Sequence, residues 1–170
     1  MRGTPLLLAG VLAVTGVSCS SNPKPKAATT VTSAASAANL PVVSGPANAK
    51  PSIVMPTTPA SAELIVKVLT EGSGPEVTAG KQLTAHYVGQ IYGTGKQFDA
   101  SWDRGQPATF PIGTGGLIKA WDQGLVGKKI GSRVLIIAPP AMGYGTGGNP
   151  AAGIKGTDAL VFVVDLVGVK

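Results

Sequence analysis

Apolar and polar residues alternate along much of the chain from about residue 62 onward, and this pattern predicts β-strands. Leu64, Val66 and Val68 fall on every second position, which is the period of a half-buried strand. Runs rich in β-branched and aromatic residues, bounded by Gly and Pro, extend the prediction. Further strands are expected at residues 81–92, 96–101, 108–112, 134–138 and 160–169.

One segment has helical spacing instead. Leu117, Ile118, Trp121 and Leu125 recur on one side of a helix, and Gly127 follows as a stop signal. A single short helix against an antiparallel, strand-dominated sheet is an α+β arrangement. The roughly 110 residues involved are enough for one small hydrophobic core. We therefore expect one α+β domain at residues 61–170.

The N-terminus has the pattern of an export signal. Arg2 precedes an apolar run at residues 6–17, which is shorter than the ~20 residues that span a bilayer but fits a signal peptide. After Ser18 comes the only cysteine, Cys19, and residues 16–19 resemble the lipobox of bacterial lipoproteins. We therefore expect a signal peptide at residues 1–18, lipidation of Cys19, and an exported protein anchored in the cell membrane. A secretory signal with an incidental thiol is the alternative.

Residues 19–60 have the composition of a spacer. Residues 1–60 contain no Asp or Glu and eight of the 14 prolines, and Ala, Ser and Thr dominate after Cys19. Without apolar periodicity such a segment buries too little surface to fold, so a disordered lipid-anchored linker is expected, with an adhesive tail as the alternative. The domain at 61–170 has ten basic and eight acidic residues, a net +2 of the total +6. No basic stripe for nucleic acid is visible in it.

Two familiar kinds of site fit the sequence poorly. Residues 143–148 have the glycine spacing of a dinucleotide-binding loop, but that loop needs a strand directly before it and a helix directly after it. Prolines at 139, 140 and 150 prevent both. His86 is the only histidine, and it lies in a predicted strand without a cysteine that could share a metal. We expect His86 to be structural, and we expect no metal or cofactor.

The aromatic residues point to a small-ligand pocket. They make up only 5% of the sequence, yet all of them lie in its second half. Aromatic rings with a few polar groups among them are typical of such a pocket. Asp99 and Asp103 could supply the two carboxylates of a hydrolase. Their position among aromatic residues and next to Arg104 suits binding better.

Six short motifs in this order resemble the FKBP-type peptidyl-prolyl cis-trans isomerases, a family that also binds immunosuppressive macrolides. The resemblance covers residues 64–170 and implies an antiparallel sheet half-wrapped around one short helix, with the pocket between them. The motifs are HYVG at 86–89, GKQFDAS at 95–101, GQP at 105–107, IKAWDQGL at 118–125, PAMGYG at 140–145 and LVF at 160–162.

The resemblance also implies roles for individual residues. Trp121 matches the floor on which a proline ring lies, Asp99 the carboxylate facing the reacting carbonyl, and Tyr144 the phenol that hydrogen-bonds the ligand; these three are the expected catalytic residues. Asp99 is further expected to pair with Arg104 and Tyr87. The expected substrate-binding residues are Tyr87, Phe98, Arg104, Phe110, Leu117, Ile118, Ile154 and Phe162.

The implied activity is rotation about X-Pro bonds in exported proteins, without a covalent intermediate or cofactor. The expected partners are proline-containing polypeptides, macrolides of the rapamycin and tacrolimus type, and a membrane through the lipid anchor; a monomer is expected. Ala108, Gly116 and Asn149 depart from the family's usual residues, which affects substrate preference and macrolide affinity. A proline- or macrolide-binding module without turnover is the alternative.

Overall fold

A computed structural model describes residues 40–170 and confirms the α+β fold. In these residues, eight strands form one two-stranded and one six-stranded sheet. The one α-helix packs on a face of the larger sheet. The strands are β1 (Val42–Ser44), β2 (Ser52–Val54), β3 (Ile65–Thr70), β4 (Gln82–Ile91), β5 (Gln97–Ala100), β6 (Ala108–Pro111), β7 (Arg133–Ala138) and β8 (Leu160–Val169), and the helix is α1 (Lys119–Leu125).

The larger sheet is antiparallel throughout and has the order β3-β7-β8-β4-β5. Strand β4 is long enough to pair along one side with β8 and along its other side with two strands. Near its start it pairs with β6, where Leu83 lies opposite Phe110, and near its end with β5, where Gly89 lies opposite Asp99. Strands β5 and β6, which carry Phe98 and Phe110, are therefore both hydrogen-bonded to β4.

The main core lies between the inner face of this sheet and α1. Leu125 on α1 and Ile136 on β7 are fully buried there. A Cβ atom on Gly124 would lie 3.0 Å from Val66 and 3.3 Å from Ile136. Because glycine has no side chain, α1 lies close against β3 and β7, and this contact fixes the position of Trp121 on the preceding turn.

The outer face of the sheet carries a second apolar cluster, and this corrects the expected spacer. Residues 40–55, which we call the N-terminal strap, form the β1–β2 hairpin and pack on that face. The contacting strap residues are Leu40, Val43, Ile53 and Met55, and the sheet residues beneath are Ile65, Leu135, Ile137, Val161 and Val163. The prediction of disorder across residues 19–60 is therefore wrong for this part, because two three-residue strands are too short to show a period.

The predicted signal peptide at 1–18, Cys19 and the spacer up to residue 39 lie outside the described residues. Within residues 40–170, no helix has the length and apolar character needed to cross a bilayer.

Candidate functional site

A cavity of about 260 Å³ opens between the inner face of the sheet and the start of α1. Drug-sized pockets are typically about 300–1,000 Å³, so this cavity suits one small ring and its neighbouring groups. Its walls come from β4, β5, β6, β8, α1 and two loops. The lining residues are Tyr87, Phe98, Asp99, Phe110, Gly116, Leu117, Ile118, Trp121, Tyr144 and Phe162.

Trp121 forms the floor of the cavity and is only 4% exposed. Its indole meets three rings edge-on, with centroids 5.3 Å from Tyr87, 5.2 Å from Phe110 and 5.6 Å from Phe162. Edge-to-face packing at these distances is favourable and holds each ring in one orientation. The buried indole Nε1 has no hydrogen-bond partner among residues 40–170. The floor is therefore a firmly packed aromatic surface, and its indole N–H has no acceptor among the described residues.

Phe98 and Phe162 form one wall, and Gly89 makes their arrangement feasible. The two rings pack edge-to-face with centroids 5.7 Å apart. A Cβ atom on Gly89 would lie 2.6 Å from the Phe98 ring and 3.1 Å from the Phe162 ring. Gly89 belongs to the HYVG motif, but its role was not predicted, since only the folded sheet shows that these rings occupy the place of its side chain.

A polar cluster lies beside the aromatic wall. The Tyr87 hydroxyl donates to Asp99 Oδ2. Arg104 donates from Nη1 to Asp99 Oδ1 at 2.6 Å and from Nη2 to the Tyr87 hydroxyl at 2.8 Å. The predicted pairing of Asp99 with Arg104 and Tyr87 is thus present in the structure.

The cluster sets the protonation states of its members. Burial, followed by the hydrogen bond to Asp99, raises the pKa of Tyr87 to about 12. Burial tends to raise the pKa of Asp99, but hydrogen bonds from Tyr87 and Arg104 outweigh it, and the pKa lies below its ordinary value. Hydrogen bonds to the charged form account for this direction. At neutral pH the cluster therefore consists of a neutral phenol, a carboxylate and a guanidinium.

A 3₁₀ turn at Ser101–Arg104 places Arg104 next to the carboxylate. Ser101 is fully buried, and its hydroxyl accepts the backbone N–H of Tyr87 at 2.8 Å. It also lies 3.0 Å from Nδ1 of His86, whose ring stacks on Trp102 with centroids 3.8 Å apart. His86 thus supports this turn from the face of β4 opposite Tyr87.

The loop before α1 supplies part of the cavity lining through Gly116, Leu117 and Ile118. Asp122 on α1 accepts the backbone N–H of Gly113 at 2.7 Å and that of Gly115 at 2.8 Å. These bonds tie the loop to the helix and fix the backbone that leads into Leu117 and Ile118. Asp122 belongs to a motif quoted above, but its loop contacts were not predicted.

The structure places nearly all predicted site residues around one cavity. Arg104 reaches it only through Asp99 and Tyr87. Ile154 does not line the cavity: it is 3% exposed and packs in the main core, because the loop folds it inward beneath Asn149 through paired backbone hydrogen bonds. Tyr144 lines the cavity and is 39% exposed. Within the described part of the chain, no group of three or more histidine, cysteine or carboxylate side chains could hold a metal ion.

Fold and site together define an α+β domain in which an antiparallel sheet and one short helix, both within residues 40–170, enclose a small aromatic pocket. The chain belongs to the FKBP-type peptidyl-prolyl cis-trans isomerase family, whose sequence model matches residues 74–167. It is 42% identical over 120 residues to the FK506-binding protein of Streptomyces anulatus, covering 71% of this chain and 97% of that protein.

Further relatives agree with this membership. The probable FK506-binding protein of Corynebacterium glutamicum is 40% identical over 120 residues, which cover 69% of this chain and 97% of the relative. Among solved structures, the crystal structure of AtFKBP13 is similar with a TM-score of 0.59 and 34% identity, covering 65% of this chain and 96% of that one.

Proposed function

We propose that this enzyme accelerates rotation about X-Pro bonds by binding proline in a water-poor aromatic pocket, without covalent attack. The observation that carries the proposal is the Trp121 floor, enclosed edge-on by three rings within a cavity of about 260 Å³. A proline ring matches such a floor in size and polarity. Membership of an isomerase family supports the reaction class.

The physics of the amide explains how this pocket acts. Rotation breaks C–N resonance and has a barrier of roughly 18–20 kcal/mol. The planar ground state is more polar than the twisted midpoint, so water stabilises the ground state more. An apolar pocket that excludes water and holds proline in a twisted geometry therefore favours the midpoint. A rate gain of ~10⁴ requires only about 5.4 kcal/mol of this differential stabilisation.

The polar cluster orients the peptide and does not attack it. Both Asp99 oxygens already accept hydrogen bonds, one from Tyr87 and one from Arg104. A carboxylate held in this way is a poor nucleophile, and because Asp99 lines the cavity, its fixed negative charge would lie next to the carbonyl of a bound peptide. A charge that is already held in position needs no reorganisation as the bond twists. We expect Tyr144, which lines the cavity and is partly exposed, to donate to the peptide or to a macrolide.

We further propose that the substrates are exported, proline-containing polypeptides and that Cys19 carries a lipid anchor. The support is the apolar run at 6–17 followed by the single cysteine. Relatives named FK506-binding proteins support the proposal that macrolides of the FK506 type compete for the same pocket. A monomer remains the expectation.

A protease-free assay on a short X-Pro peptide tests the proposal. Purified protein at micromolar concentration is expected to speed cis–trans exchange, and FK506 is expected to block the effect. FK506 binding without acceleration would replace the proposal with a binding module. Absence of both acceleration and binding would contradict the pocket assignment altogether.

A further inference from the structure

The N-terminal strap is held on the outer face of the sheet by a buried charge. Arg133 is 4% exposed and donates from Nε and Nη2 to the carboxylate of Asp165, at 2.6 and 2.7 Å. Its remaining donors reach the strap, with Nη1 3.2 Å from the carbonyl of Gly45 and Nη2 2.8 Å from that of Ala49. Bidentate pairing fixes the guanidinium plane, so the loop between β1 and β2 has a defined position.

The next residue of that loop, Lys50, contacts the 3₁₀ turn that carries Arg104. Lys50 Nζ lies 2.6 Å from Asp103 Oδ1, and Gln97 on β5 donates to Asp103 Oδ2 at 2.7 Å. Asp103 is therefore held by two residues, one on the strap and one on the sheet. The lysine beside it and the hydrogen bond from Gln97 hold the pKa of Asp103 below its ordinary value, so the carboxylate is charged at neutral pH.

Asp103 belongs to the turn that supplies Arg104. Three successive turn residues have separate contacts: Trp102 stacks on His86, Asp103 binds Lys50, and Arg104 binds the pocket cluster. A 3₁₀ turn of four residues has few backbone hydrogen bonds of its own. The side-chain contacts of Asp103 therefore restrict where the Arg104 guanidinium can lie.

We propose that Lys50 is a positioning residue for the isomerase site, acting through Asp103 on the turn that carries Arg104. This inference rests on the proposed function of the pocket. It makes the strap, which precedes the region matched by the family model, a working part of the enzyme. The pathway runs from the buried Arg133 anchor through the strap loop to the Tyr87–Asp99–Arg104 cluster.

The expected effect is modest because the pair is open to solvent. The side chains of Lys50 and Asp103 are 43% and 50% exposed, and such pairs are weak and screened by salt. Loss of the pair cannot change the conformational equilibrium of the turn by more than the free energy that the pair contributes. We therefore expect kcat/KM to fall by about two- to fivefold when Lys50 is truncated.

The experiment compares Lys50→Ala, Lys50→Arg and Asp103→Asn in the full chain, with Lys81→Ala as the matched control on an exposed lysine outside these contacts. Lys50→Ala is expected to lower kcat/KM at low salt, Lys50→Arg to restore it, and Lys81→Ala to leave it unchanged. Lys50→Ala combined with Asp103→Asn is expected to be no slower than Asp103→Asn alone. Added salt should reduce the difference between wild type and Lys50→Ala.

A second measurement does not depend on activity. The chain has two tryptophans, so its NMR spectrum has two indole N–H resonances. Lys50→Ala is expected to shift the Trp102 resonance more than that of Trp121, and Lys81→Ala to shift neither. If the wild type fails to accelerate X-Pro exchange, the proposed function falls, and the Trp102 resonance alone decides whether Lys50 holds the turn.

Two results would overturn the inference. One is a Lys50→Ala variant with the rate and the Trp102 resonance of the control. The other is an additive loss in the double variant, because additivity would mean that Lys50 acts independently of Asp103.

Discussion

At the scale of single residues, the pocket depends on one residue that lacks a side chain and on one phenol that keeps its proton. Gly89 leaves room for the rings of Phe98 and Phe162. Tyr87 donates to a carboxylate and touches the floor ring of Trp121. Each of these residues thus links the backbone of β4 to the geometry of the pocket.

Gly89→Ala is expected to weaken ligand binding by about tenfold. The new methyl group would lie within 2.6 Å of the far end of the Phe98 ring, which must then move into the cavity, and overpacking of this kind costs about 1–3 kcal/mol. Gly168→Ala is the matched control, since this strand glycine has open space around its Cβ position. Isothermal titration with FK506 measures the effect. Equal affinities for the two variants would contradict the assigned role of Gly89.

The Tyr87 phenol is expected to ionise near pH 12 in the folded protein, because burial and the bond to Asp99 raise its pKa from 10.0 to about 12. Since the folded-state pKa is the higher one, the contribution of Tyr87 to stability is present below pH 10 and is lost as the pH rises toward 12. Ultraviolet difference absorbance, with Tyr87→Phe to identify the transition, measures it. A Tyr87 transition near its ordinary value would contradict the described cluster.

At the scale of elements, the sheet is used on both faces. The inner face carries the pocket and α1, and the outer face carries the N-terminal strap. Adjacent strap residues therefore have different surroundings, because side chains alternate along a strand. Val43 packs on the sheet, whereas Val42 is 65% exposed.

Val43→Ala is expected to lower the free energy of unfolding by about 1–2 kcal/mol, from the loss of two partly buried methyl groups. Val42→Ala removes the same atoms from the exposed side and is expected to have an effect near zero. Urea denaturation of both full-length variants measures the difference. Equal midpoints would mean that the strap does not pack on the sheet in solution.

At the scale of the whole molecule, the sequence was informative where its pattern is periodic or its motifs are ordered. Strands β3 to β8, the helix and nearly all cavity residues were predicted. The strap was missed because Val43 and Ile53 belong to strands of three residues in a Pro- and Ala-rich segment. Ile154 was misplaced because the fold of its loop depends on backbone bonds to Asn149, which no residue pattern indicates.

Cys19→Ala is expected to release the mature protein from the membrane fraction, because the acyl chains that would hold it there are lost. Ser21→Ala, a neighbouring change that leaves the cysteine in place, is expected to remain membrane-bound. Fractionation of expressing cells followed by immunoblotting measures the distribution. Retention of the Cys19→Ala variant in the membrane would contradict the lipid anchor.

The most direct test of the account is the catalysed exchange rate of an X-Pro peptide with two variants of the same helix. Trp121→Ala removes the floor of the pocket, and Lys119→Ala removes a side chain that does not line the cavity. Circular dichroism establishes that each is folded, and Trp121→Phe serves as the milder change. We expect Trp121→Ala to lose about ten- to a hundredfold in kcat/KM, Trp121→Phe to lose less, and Lys119→Ala to match the wild type. Equal rates for folded Trp121→Ala and Lys119→Ala would contradict catalysis on the indole surface.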